Sequence, residues 1–238
     1  MSVFRFLILF ALMITTAPVA QASDCVIFLH GLARSRASMN KMADAFEKSG
    51  YEVVNVGYPS RKYPIEELSQ RAVREGLEKC THGTVVHFVT HSLGGILLRY
   101  YLKNYEIENL GRVVMMAPPN KGSAVVDALS RVPGFKVLNG PAGLQLGTKE
   151  GSIPLTLGPV DYEVGIVAGT RTFNPFLSQY LSNPDDGKVS VENTKVEGMT
   201  DFITVQKSHP FIMKSSEVIV QALSFIKSGR FLHHEQRK

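Results

Sequence analysis

A chain of 238 residues with 44% hydrophobic and 20% charged side chains is long enough for one domain with its own core. Such a chain buries about 70% of its extended surface and needs no structural metal to hold it. The net charge is +5, but lysines and arginines are scattered among acids without a basic run. That pattern gives no evidence for nucleic acid, so no nucleic-acid partner is expected, and it hints only weakly at attraction to anionic membrane surfaces.

In chain order, Arg5 and the apolar run Phe6 to Ile14 precede Ala20-Gln21-Ala22. The run is too short for a stable membrane span, and small residues occupy the two positions that a signal peptidase reads. Residues 1–22 are therefore expected to be a signal peptide. Cleavage near Ala22 would export residues 23–238 to the periplasm or the exterior; an uncleaved N-terminal anchor is the alternative. Asp24 stands directly before Cys25, where a lipoprotein would carry a small residue.

Continuously apolar runs then alternate with amphipathic stretches, as in a parallel sheet covered on both faces. Val26 to Leu29, Glu52 to Val56, Val85 to Val89, Val113 to Met116 and Val164 to Ala168 read as strands. Helical spacing joins Met39, Met42, Ala43 and Phe46 before a stop at Gly50, and Leu68, Ala72, Val73 and Leu77 behind Pro64, which suits a first helical turn. Further helices are expected from Leu93 to about Lys103 and from Ser216 to Ile226, ended by Gly229. Cys25 and Cys80 each precede a strand-like run, so neighbouring strands would place them at the same sheet edge. In an oxidising compartment they would pair; two free, buried thiols are the other outcome. Residues 120–160 open with a short helical stretch and then, between Pro133 and Pro159, read as a long irregular segment. A segment of this kind is expected to be a lid or cap over a site. Residues 170–190 form a second irregular stretch.

The sharpest motif is Thr90-His91-Ser92-Leu93-Gly94-Gly95 between a strand and a helix. A nucleophile elbow, G-x-S-x-G, uses small residues so that strand and helix can approach around a strained, exposed serine. Gly94 meets this demand; Thr90 departs from it. His30-Gly31-Leu32 follows the first strand. Its Leu32 N–H, with that of Leu93, is a candidate oxyanion donor; Gly31 permits close approach, and His30 is read as holding the loop. Of the seven histidines, His82 and His87 belong to a turn and a strand, His91 adjoins the nucleophile, and His233 and His234 sit in a charged tail without further metal ligands. His209, in a loop after Phe202 to Val205, remains as the base. For the acid, Asp186 in Asp185-Asp186-Gly187 is preferred, with Asp185 the close rival and Asp161 and Asp201 behind it.

These segments, with Ala117-Pro118-Pro119-Asn120-Lys121-Gly122-Ser123, resemble small bacterial lipases and esterases of the α/β-hydrolase superfamily, near the GPI-inositol-deacylase-like branch. The similarity covers most of residues 23–238. It implies an α/β fold, a mostly parallel central sheet with helices on both faces, here lacking the two leading strands. It also implies a Ser92, Asp186, His209 triad in that chain order, with the acid just before its glycine, and no cofactor or metal. The activity implied is hydrolysis of a small-molecule or lipid ester through an acyl-enzyme. An acyltransferase or thioesterase with the same triad, and a non-catalytic binding protein on this fold, are the alternatives. Peripheral membrane contact is left open, and no protein partner is expected.

Overall fold

The computed structural model describes residues 23–172 and 174–233. The expected signal peptide over residues 1–22 lies outside them, as does His234. Six strands form one sheet: β1 (Cys25–Leu29), β2 (Glu52–Val56), β3 (Val86–His91), β4 (Leu110–Met116), β5 (Val164–Gly169) and β6 (Asp201–Val205). Their order is β2-β1-β3-β4-β5-β6, and every neighbouring pair is parallel. Among the described residues no strand precedes β1.

The unbroken apolar strands follow from burial on both faces. Ile27, Leu29, Phe88, Val113 and Met115 pack on one side, against α2 (Ile65–Lys79) and α3 (Leu93–Asn104), as part of a buried cluster with Leu68, Ala72, Ile96 and Leu97. Val26, Phe28, Val89, Val114 and Met116 pack on the other. There they meet Met42 and Phe46 of α1 (Asn40–Lys48), and Val218, Ala222 and Phe225 of the last helix, Ser216–Ser228. Pro64 stands immediately before the first turn of α2 rather than in it, with its extended backbone turning the chain into the helix.

Residues 133–159 correct the expectation of an irregular segment. After α4 (Ala124–Leu129) they form α5 (Phe135–Leu144) and α6 (Ile153–Thr156). Gly134, Gly140, Gly151 and Gly158 all have positive φ. The glycines that suggested a loop are the joints between short helices, and α5 itself is two pieces meeting at Gly140. Among the described residues three further α-helices follow, α7 (Pro175–Ser178), α8 (Val191–Thr194) and α9 (Ser216–Ser228), besides 3-10 turns at Arg36–Met39 and Ile212–Lys214. No helix among the described residues is long and apolar enough to cross a membrane.

Cys25 and Cys80 are joined by a disulfide, with their Cα atoms 5.8 Å apart. It ties the start of β1 to the C-terminal end of α2 across 55 residues of sequence. Closing a loop of this length stabilises the folded chain by about 4 kcal/mol in the chain-entropy description. The Cys25→Ser/Cys80→Ser double variant should lose several kcal/mol in urea unfolding; a loss below about 1 kcal/mol would show the bond to be ornamental.

Candidate active site

Ser92 follows the last residue of β3 and leads into α3 with φ +53° and ψ −119°. This sparsely populated geometry is held by packing on both sides of the turn. A Cβ on Gly94 would strike the backbone carbonyl of Leu29. Thr90 fits the strand side because the helix side gives way: a Cβ on Gly95 would already stand 3.2 Å from Thr90 Oγ1. The requirement for a small residue has moved from position 90 to position 95.

His209 lies in the loop beyond β6, and its backbone N–H donates to the Asp186 carbonyl at 3.0 Å. Its ring Nδ1–H donates to Asp186 Oδ2 at 2.7 Å, and Nε2 accepts from the Ser92 hydroxyl at 2.9 Å. Asp186 is 1% exposed. Its other oxygen accepts from the backbone N–H groups of Lys188 and Val189, at 2.9 and 2.8 Å. Asp185 has other partners: it accepts from Ser178 Oγ at 2.5 Å and from Gly187 N at 2.7 Å. Asp201 opens β6 at the far end of the sheet and accepts from Phe231 N and His233. Asp161 is exposed in a loop.

The His30-Gly31-Leu32 loop rests directly on His91 and Ser92. A Cβ on Gly31 would come within 2.7 Å of His91 Nδ1 and 3.2 Å of Ser92 Cβ. His30 is buried, donating through Nδ1 to the Gly31 carbonyl at 2.9 Å and accepting at Nε2 from Tyr58 N at 3.3 Å. The Tyr58 ring stacks on it at 4.0 Å, and the Tyr58 hydroxyl donates to the His30 carbonyl. Among the described residues the N–H groups of Leu32 and Leu93 find no acceptor; Leu93 opens α3, where no helix carbonyl reaches. Above Ser92 lies a cavity of about 420 Å³. Val125, Val126, Phe135 and Leu146, all from residues 120–160, supply much of its apolar wall.

No protein-family model matches this sequence, and no curated protein does so. Solved structures do match its fold. The mature form of the Bacillus licheniformis lipase BlEst2 superposes with a TM-score of 0.67 at 19% identity, over 90% of this chain and 96% of that one. An extracellular alpha/beta-hydrolase from a Paenibacillus species gives 0.56 at 14% identity, over 87% and 99%. The Legionella pneumophila phospholipase PlaB gives 0.60 at 21%, over 73% of this chain but 46% of its own. The chain has the α/β-hydrolase fold. The likeness to the GPI-inositol-deacylase-like branch stays one of sequence segments alone.

Two residues of this site were not singled out by the sequence. His91 is 1% exposed and donates through Nε2 to the carbonyl of His209 at 3.0 Å, while its Nδ1 has no partner. It thereby holds the backbone of the residue whose ring faces Ser92; adjacency to Ser92 was the only hint. Arg99, 4% exposed on α3, donates to the Asn120 carbonyl and side chain at 3.1 Å each and to the Gly158 carbonyl at 2.5 Å. Asn120 Nδ2 continues to the Thr194 carbonyl at 2.8 Å, and Ser123 Oγ donates to the Lys188 carbonyl at 2.6 Å. These bonds tie the helix behind Ser92 to the loop carrying Asp186. Among the described residues no cluster of three metal-ligating side chains occurs.

Burial lowers the pKa of His30 and His87, and pushes that of His91 well below the ordinary histidine value. For His87 the nearby Asp24 carboxylate pulls the other way. The unfolded chain thus binds more protons than the folded one once pH drops below about 6.5. Their contribution to stability is complete above that pH and is lost as pH falls toward the lowered folded values. The urea midpoint should therefore decline from about pH 7.5 to about pH 5, and His91→Phe should flatten the decline. A midpoint that rises on acidification would contradict this account.

Proposed function

We propose that the protein is a carboxylic ester hydrolase that works through an acyl-enzyme. One observation carries the reading: Asp186, His209 and Ser92 stand in a continuous hydrogen-bonded line at 2.7 and 2.9 Å, opening on the cavity. In this proposal His209 Nε2 takes the Ser92 proton as the oxygen attacks the ester carbonyl, and Asp186 stabilises the resulting imidazolium. The acyl C–O bond breaks, and the alcohol leaves with the proton from His209. Water, activated by the same nitrogen, then releases the acid and restores Ser92. The N–H groups of Leu32 and Leu93 would hold the tetrahedral oxyanion, an interaction typically worth about 3–4 kcal/mol per donor.

Neighbours named as a lipase and a phospholipase support ester chemistry on this fold. Residues 120–160 act in this reading as a cap over the acyl chain, and the cystine is in keeping with export to an oxidising compartment. A fluorophosphonate probe should label the folded protein once, on the peptide containing Ser92, and abolish turnover of a soluble p-nitrophenyl ester. Labelling elsewhere, or none, would overturn the proposal.

A further inference from the structure

The cavity above Ser92 contains three strongly charged side chains: Arg34, Lys188 and Asp186. Asp186 is spent on His209 and on two backbone N–H groups. Arg34 and Lys188 have no hydrogen bond or ion pair from their side chains among the described residues. Some other cations do meet acids: Arg112 meets Glu163 at 2.6 Å, Lys121 meets Glu192 at 2.7 Å and Lys207 meets Glu217 at 3.8 Å. Among the described residues neither cation at the cavity forms an ion pair; the acid that acts on Lys188 is Asp186, which is itself hydrogen-bonded to His209.

Their positions follow from the loops that carry the chemistry. Arg34 comes two residues after Leu32, at the end of the tight loop against the nucleophile, where Ala33 has φ +55°. Lys188 comes two residues after Asp186, on the His209 side. Partial loss of hydration lowers the pKa of Lys188, opposed by the Asp186 carboxylate and reinforced by Arg34, which is also near enough to push down that of His91, already lowered chiefly by burial. Both side chains line the same cavity from exposed positions, so an anion entering it meets two positive charges that salt can screen. The rest of the wall, including Val125, Val126, Phe135, Leu146 and Leu177, is apolar.

We infer that the cleft selects acyl esters whose alcohol part carries an oxyanion, a phosphate or a carboxylate, held between Arg34 and Lys188 while the acyl chain lies along the apolar wall. The inference rests on the hydrolase reading above. The anion is placed on the alcohol because Lys188 flanks the Asp186–His209 pair, the side on which the leaving oxygen must receive its proton. The apolar wall offers the acyl chain a surface and an anion none.

The test compares matched esters of one acyl group: butyryl glycerophosphate against monobutyrin, and para-butyryloxybenzoate against its methyl ester. The anionic member of at least one pair should have the higher kcat/KM by at least about tenfold, chiefly through KM, and raising salt from about 50 to about 500 mM should erode the advantage. The pair with the larger ratio identifies the anion. In the Arg34→Gln/Lys188→Gln double variant, the ratio should fall to near unity. Ratios of one or less in both pairs, or ratios the double variant leaves unchanged, overturn the inference. If the neutral esters are still cleaved in a Ser92-dependent way, the hydrolase reading survives that failure. If neither member is cleaved and Ser92 takes no fluorophosphonate, both readings fall.

Discussion

Replacing Ser92 with alanine should lower kcat for a soluble p-nitrophenyl ester by about 10⁴–10⁶-fold, because among the described residues no other hydroxyl is hydrogen-bonded to His209 Nε2. Ser123 also lines the cavity, but its hydroxyl is committed to the Lys188 carbonyl and has no base beside it. Thermal unfolding should barely change. The backbone at position 92 is strained whether the side chain is serine or alanine, at a cost of about 1–3 kcal/mol set by φ rather than by the hydroxyl. Ser92→Gly should relieve that strain and raise the melting temperature while losing activity equally. Turnover in Ser92→Ala within tenfold of the parent would remove the serine from its assigned role.

The second large effect separates the adjacent aspartates. Asp186→Asn should cost about 10³–10⁴-fold in kcat. An asparagine there must either turn its NH2 toward the Lys188 and Val189 N–H groups, donor against donor, or turn it toward His209 Nδ1 and force the wrong tautomer. Asp185→Asn meets neither conflict. Its carbonyl can keep the Gly187 N–H while its NH2 donates to Ser178 Oγ, so kcat should fall by less than about tenfold. A larger loss at position 185 than at 186 would reverse the assignment.

Much of the fold was legible because strands buried on both faces leave a continuous apolar record, and β1 through β5 lie close to the five runs read as strands; β6, only partly buried, was not read as one. The elbow was legible despite Thr90, although its compensation was not. Gly95 matters only once α3 is packed on β3, and a motif written along the chain does not contain that contact. Asp185 and Asp186 share spacing and burial. Which one faces His209 depends on the direction of the turn at Gly187, so resemblance separated them where residue chemistry alone left both open. The helices of residues 133–159 were hidden by the glycines that join them. His91 and Arg99 were missed for a different reason: each acts on a backbone carbonyl, and an acceptor present at every residue leaves no sequence signature.

The cystine and Ser92 occupy opposite poles of the sheet, separated by the length of β1, about 17 Å. A covalent tie at the pole away from the chemistry governs how long the molecule survives, without gripping the groups that react. Made in a cell that keeps thiols reduced, the protein would be competent but short-lived; durability is conferred by its surroundings after the chain has left the ribosome.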